Sequence, residues 1–315
     1  MTIPRLHPDA QAILAAAGSA NRPPVYTQPL DEARKDFEQR TTSSAISHPV
    51  SDVRDVDIKA QGRTIPVRIY TPQPDGPLPI LVYFHGGCWI FGNVRTHDSE
   101  CRSLAARSGC IVVSVDYRLA PEHRFPAAVH DAYDATAWAA ERADELGGDP
   151  TRLLVGGVSA GGNLAAAVTL LARDRAGPAI AGQVLVYPIV DCDLDRGSYE
   201  LFGEGYLLTK ETMRWSWEQY APEAPEDPLA SPLRALDHSG LPPAYVLVTG
   251  CDPLRDEGLA YVDALRTAGV PVKLSLWEGH VHAFFSSPGL MDSADQAHED
   301  VAEWIRHLVH EGATS

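Results

Sequence analysis

The stretch Leu153-Leu154-Val155-Gly156-Gly157-Val158-Ser159-Ala160-Gly161-Gly162-Asn163-Leu164 passes from a short apolar run into an Ala/Leu-rich helical pattern through a tight turn at Ser159. Gly-x-Ser-x-Gly between a strand and a helix is the nucleophile elbow, which exposes a serine hydroxyl at the edge of a sheet. The turn is so sharp that a Cβ on either flank clashes, which accounts for Gly157 and Gly161. The serine then stands over a helix N-terminus, whose dipole favours developing negative charge. A plainer reading is a structural Gly-rich turn. A dinucleotide loop is excluded, because no Gly-x-Gly-x-x-Gly occurs in the stretch.

Outward from the elbow the same alternation repeats on both sides. Ile80–Phe84, Ile111–Val115, Val184–Tyr187, Tyr245–Thr249 and Val272–Leu276 read as buried strands. Helical patterns stand at Ala127–Arg142, Ala160–Arg173, Glu257–Ala268 and Ala297–Val309. Strands alternating with helices of this length predict an α/β fold with a mostly parallel central sheet, flanked by helices. Val53–Ile58 and Ile65–Tyr70 alternate apolar and polar residues, as half-buried antiparallel strands do. One segment, between Asp191 and Pro243, has no convincing strand but many Gly, Pro, Glu and aromatic residues; so long an insertion suggests a lid. The expected organisation is 1–45 as the N-terminal part of a helical cap, 46–190 as the first part of the core, 191–243 as the cap insertion and 244–315 as the second part of the core.

A nucleophilic serine needs donors for the oxyanion, a base, and a carboxylate to orient the base. His85-Gly86-Gly87-Cys88-Trp89 follows directly on Ile80–Phe84, and a His-Gly-Gly loop at that place supplies oxyanion donors together with the N–H after the nucleophile, here Ala160. Downstream, Asp252 follows Tyr245–Thr249 and His282 follows Val272–Leu276, in the order Ser, Asp, His that elbow enzymes use. Both fall at carboxyl ends of strands, where open α/β sheets place their sites. His280 is the rival base; His282 is preferred because it stands where the loop turns into Phe284-Phe285.

Composition narrows the field from another side. The 315 residues carry 26 Lys and Arg against 42 Asp and Glu, a net charge of −16. Such a surface repels phosphates and anionic lipid head groups, so neither nucleic acid nor membrane is expected as a partner. The four lysines (35, 59, 210 and 273) never follow a serine by three, which removes the Ser-x-x-Lys class. Five cysteines without a CxxC pair fit a reducing compartment. The short apolar run Ala12–Ala17 is preceded by His7, Pro8 and Asp9, which break a leader pattern, so a cytoplasmic location is expected.

Three other patterns invite a reading and do not sustain it. His280-x-His282 has the look of a metal pair, but the sequence places no further His/Asp cluster near it, and a catalytic zinc needs three ligands. No metal is expected. Asp191-Cys192-Asp193-Leu194-Asp195 opens like a calcium loop, yet Arg196 takes the place of the required glycine and Phe202 that of the bidentate Glu. Cys251, beside Asp252, has no elbow and reads as a small buried residue.

Taken together, the Ser159 elbow, His85-Gly86-Gly87, Asp116-Tyr117-Arg118-Leu119-Ala120-Pro121-Glu122, Asp252-Pro253-Leu254 and the His282 segment resemble the hormone-sensitive-lipase-like carboxylesterases of the α/β-hydrolase superfamily. The resemblance runs from about Val53 onward. It implies the α/β-hydrolase fold with a helical cap, and Ser159, Asp252 and His282 as nucleophile, acid and base. It places the oxyanion donors on Gly86, Gly87, Cys88 and Ala160. It further implies a serine carboxylesterase acting on small esters of short to medium acyl chain, no cofactor, and homodimerisation through the final strand and helix. Trp89, Trp215, Trp217 and Phe284 are the expected pocket residues. A receptor-like binding module on the same scaffold is the alternative, as is an amidase or aryl-esterase variant. Two departures stand out: Cys88 replaces a third glycine, and Val158 replaces the usual Asp or Thr before the serine.

Overall fold

The structure, a computed structural model, describes residues 4–43, 48–60, 62–73 and 76–311. Eight strands form one sheet: β1 Asp52–Ala60, β2 Arg63–Thr71, β3 Leu78–Phe84, β4 Ile111–Val115, β5 Gly148–Val158, β6 Gly182–Val186, β7 Ala244–Cys251 and β8 Val272–Val281. Their spatial order is β1-β2-β4-β3-β5-β6-β7-β8. β1 and β2 pair antiparallel, as does β2 with β4, and every later pairing is parallel. This is the α/β-hydrolase fold expected from the resemblance.

The central strands are buried because helices cover both faces, β5 from Leu153 onward and the others along their whole length. All of β3, β4, β6 and β7 are out of solvent, which is why they read as unbroken apolar runs rather than alternating ones. Edge strands behave otherwise. β1 is mostly exposed, and β8 alternates before its last two residues. The helix Ala160–Asp174 is buried from Ala160 to Ala172. Its glycine and alanine face allows that close approach.

Two elements exceed what periodicity indicated. The helix Asp98–Ser108 provides the crossover from β3 to β4 and ends at Gly109 in the left-handed region. Its polar sequence hides it, since Glu100 and Ser103 are among its buried residues. β8 continues to Val281 and so includes His280. The N-terminal segment forms the helices Pro8–Ala20 and Leu30–Ser43, while the insertion after β6 forms Gly197–Phe202 and Lys210–Tyr220. No helix among the described residues is long and apolar enough to cross a membrane.

Candidate active site

Ser159 stands between β5 and the helix Ala160–Asp174 with φ 58 and ψ −116. A non-glycine residue in that region is strained and persists only where its surroundings over-determine it. The surroundings here are tight. A Cβ on Gly157 would lie 2.5 Å from the Phe84 carbonyl oxygen, and one on Gly161 only 1.8 Å from the same atom. The elbow thus presses directly on the end of β3, and the loop that follows β3 is held against it.

Three polar side chains from three strand ends converge on this turn. His282 Nε2 is 3.1 Å from Ser159 Oγ, and His282 Nδ1 is 2.8 Å from Asp252 Oδ2. Asp252 is fully buried, yet well supplied with donors: Thr249 Oγ1 donates to Oδ2 at 2.6 Å and the Leu254 N–H to Oδ1 at 2.9 Å. A buried carboxylate with several donors is held in one orientation and aims the imidazole. His280 goes elsewhere. Its ring stacks on His7 with centroids 4.5 Å apart and touches Phe284 at 4.7 Å.

The His-Gly-Gly loop curls beside the serine. Gly87 has φ +116, and a Cβ there would meet the Phe91 carbonyl at 2.2 Å, so only glycine fits. Cys88 and Trp89 follow with φ 54 and 61. Tyr187 and Ala283 also have positive φ, so backbone strain gathers around the site. Among the described residues, the N–H groups of Gly87 and Cys88 have no acceptor in the protein, and that of Ala160 opens a helix, where no intrahelical partner exists. Gly86 differs from the expectation. Its N–H is taken by His97, to whose Nε2 it donates at 3.2 Å.

Sequence reasoning missed most of what braces this loop. Tyr117 Oη donates to the His85 carbonyl at 2.8 Å, and the Ala120 N–H donates to the Trp89 carbonyl at 2.9 Å. Arg34, from the N-terminal helix, donates to the carbonyls of Ile90 (2.9 Å) and Ala120 (2.8 Å) while Glu122 accepts from it bidentately at 2.7 and 2.8 Å. The segment from Asp116 to Glu122 is therefore a buttress for the loop. Its motif was legible, but its role required the partners. Asn163 is a second brace: it accepts from Trp89 Nε1 at 3.2 Å and donates to the carbonyls of Ile189 and Ala230. His85 and His97 lie fully buried, and burial pushes their imidazoles down to about 3 and about 4. Both stay neutral, so Gly86 has a lone pair to donate to.

The expected pocket residues are mostly packed away. Trp89 is fully buried, stacked on Tyr220 at 4.1 Å and beside Trp217 at 4.9 Å. Phe284 is fully buried against Tyr187, Trp277 and His280. Only Trp215 is partly exposed, near Phe91. Tyr187, which the sequence did not suggest, lies closer to the chemistry, its ring 4.5 Å from that of His282. The Cys88 thiol interacts with Ser216 of the helix Lys210–Tyr220, and burial pushes it up to about 11. Cys251 is buried, as expected, its Sγ 3.6 Å from the Glu278 carbonyl. Asp191 of the calcium-like stretch is taken by Arg196 and Arg234.

A serine hydroxyl on a sheet-edge elbow, relayed through histidine to a buried carboxylate, defines the class of α/β serine hydrolases. A model of the alpha/beta hydrolase fold family matches residues 81–286. The chain is 48% identical to the carboxylic ester hydrolase LipN of Mycobacterium tuberculosis over 75% of this chain and 65% of that protein. It is 39% identical to an ethyl acetate hydrolase of Pseudomonas putida over 96% of this chain and 99% of the other. The solved structure of a hyperthermophilic esterase from the archaeon Pyrobaculum calidifontis superposes with a TM-score of 0.93 at 39% identity, covering 97% of this chain and 99% of that one. The chain belongs to the α/β-hydrolase family, within its hormone-sensitive-lipase-like branch, and is a carboxylic ester hydrolase.

Proposed function

We propose that the enzyme cleaves short- to medium-chain carboxylic esters through an acyl-serine intermediate formed on Ser159. The observation that carries this reading is the unbroken relay from Ser159 Oγ through His282 to Asp252, at 3.1 and 2.8 Å. His282 Nε2 takes the hydroxyl proton as Oγ attacks the ester carbonyl, then gives it to the departing alkoxide. Asp252 holds the tautomer with the proton on Nδ1. Water, deprotonated by the same Nε2, attacks the acyl-serine and releases the acid. The N–H groups of Gly87, Cys88 and Ala160 stabilise the tetrahedral oxyanion, whereas Gly86 is a tether for the loop.

The N-terminal helices and the 191–243 insertion act as one cap. Their anchors are Arg34 on one side and the Trp89–Trp217–Tyr220 stack on the other. Short acyl groups suit a site in which Trp89 and Phe284 are already packed, and the similarity to an ethyl acetate hydrolase points the same way. The partner is a small-molecule ester. The net charge of −16 argues against nucleic acid, and five free cysteines suit a cytoplasmic setting. Self-association is proposed through the final strand, β8, and the final helix, Asp292–Glu311.

Turnover of p-nitrophenyl esters of graded acyl length tests the reading. Activity is expected to peak at short chains. Ser159→Ala is expected to lose on the order of 10⁶ in kcat with the fold retained. An active, folded Ser159→Ala protein would overturn the mechanism. Turnover of amides above esters would move the assignment to an amidase.

A further inference from the structure

The tertiary structure assembles a group that the sequence keeps apart. His7 and Asp9, at the start of the helix Pro8–Ala20, meet His280 near the end of β8, and one donor atom from each lies within 4.8 Å of the others. The N-terminal arm is docked there by backbone. The His7 N–H donates to the Gly279 carbonyl at 2.9 Å, and a Cβ on Gly279 would come within 2.7 Å of the Arg5 carbonyl oxygen. Asp9 is held too, since Ser293 donates to its Oδ2 from Oγ at 2.5 Å and from its N–H at 3.2 Å.

His280 supplies the independent observation. Only 5% of it is exposed, and neither ring nitrogen has a hydrogen-bond partner. A buried imidazole with both nitrogens unpaired carries the full desolvation penalty of its polar atoms. The ring is packed on Trp277, Phe284 and His7, and one of its nitrogens lies within 4.8 Å of both a His7 ring nitrogen and an Asp9 carboxylate oxygen.

The geometry points to a divalent transition-metal site, with Zn²⁺ the ion it suits, formed by His7, Asp9 and His280. Two imidazoles and one carboxylate are the donor set of three-ligand zinc sites, which complete a tetrahedron with water. Ca²⁺ and Mg²⁺ prefer oxygen ligands and are disfavoured by the two nitrogens. Ligands at about 2.0–2.2 Å from an ion are closer together than 4.8 Å, so the groups must draw in slightly. The exposed His7 side chain can do so. A bound ion would fasten the N-terminal arm to the segment that runs from His280 into His282.

The test is titration of the metal-free, full-length protein with Zn²⁺, by calorimetry and by thermal melting. One ion is expected to bind per chain and to raise Tm by a few degrees, because an ion that binds only the folded state stabilises it by mass action. EDTA is expected to reverse the rise. His7→Ala, at an exposed position, is expected to weaken binding more than the ~10–100-fold that loss of an outer-shell partner costs. Asp9→Asn is expected to weaken it as well, each variant being judged against its own melting point in EDTA. Absence of a one-to-one binding event in the wild type would overturn the proposal. So would unchanged affinity in both variants, which would place the ion on other histidines. The esterase reading stands or falls separately, on Ser159.

Discussion

Gly86 donates its backbone N–H to His97 Nε2 at 3.2 Å, which ties the first glycine of the His-Gly-Gly loop to the segment ahead of the helix Asp98–Ser108. Nδ1 of the same imidazole is 2.8 Å from Thr96 Oγ1, so the ring is held at both ends. The loop is thereby tied on one side, while the N–H groups of Gly87 and Cys88, which have no acceptor among the described residues, stay available for the proposed oxyanion. Its donors are preorganised, which is where electrostatic catalysis gains most.

His97→Ala should therefore lower kcat with little change in KM. Loss of a whole oxyanion donor costs roughly 10²–10³, and loss of a tether should cost less, about tenfold. His97→Gln can still accept from Gly86 and should recover part of the loss. Steady-state kinetics with a short p-nitrophenyl ester decides the matter: an effect confined to KM would show that His97 acts on binding instead.

Arg34 should behave as a positioning residue acting from outside the site. Its guanidinium holds the carbonyls of Ile90 and Ala120 together and is itself gripped by Glu122. Arg34→Ala is expected to cost about 2 kcal/mol of stability, the scale of hydrogen bonds to a charged group, and to reduce kcat. Arg34→Lys should recover little, because one ammonium cannot reproduce the fork. Equal kcat and Tm in all three proteins would remove the arm from the loop's support.

Stability should decline on mild acidification through the buried imidazoles, offset in part by Glu100 and Asp116, whose carboxyls burial pushes up to about 7 and about 6. Burial pushes His85 and His298 down to about 3 and His97 down to about 4, from an ordinary value near 6.5. Below pH 6.5 the unfolded chain takes up protons that the folded chain refuses, so stability falls as pH drops toward 4. Each such group contributes a slope of about 1.4 kcal/mol per pH unit within that window. Melting curves from pH 8 to pH 5 should show a falling Tm. A flat profile would mean that these imidazoles are charged in the folded protein or accessible to water.

Cys88 should resist alkylation despite lying in the catalytic loop. Its thiol is buried against the helix Lys210–Tyr220, and burial raises it to about 11, so little thiolate is present at neutral pH. Iodoacetamide at pH 7.5, followed by mass spectrometry of peptides, should leave Cys88 unmodified in the folded enzyme and modify it after denaturation. Rapid labelling of the folded form would show an open loop. Cys88→Gly, which suits φ 54 better, should change kcat by less than about tenfold.

The alternation of apolar strands and amphipathic helices, the elbow at Ser159 and the order of Ser159, Asp252 and His282 were all present in the sequence. They are local: an apolar period, a strand–helix turn that admits only glycine on its flanks, and strand ends that follow from both. The helix Asp98–Ser108 escaped because its buried face mixes Glu100, Ser103 and Ser108 with Cys101, Leu104 and Ala105, which dilutes the apolar stripe. Partner choice was not local. His282 and Ser159 meet across 123 residues, and Arg34 reaches Glu122 across 88. Two histidines separated by one residue would share a face within a strand; they differ because His280 is still in β8 whereas His282 lies beyond its end, where the chain turns at Ala283. His282 turns to Asp252, while His280 stays against Phe284 and receives His7 from the N-terminal arm. Periodicity tells a residue which face it occupies. Which atom lies opposite depends on how whole elements pack, and that is decided only when the chain closes on itself.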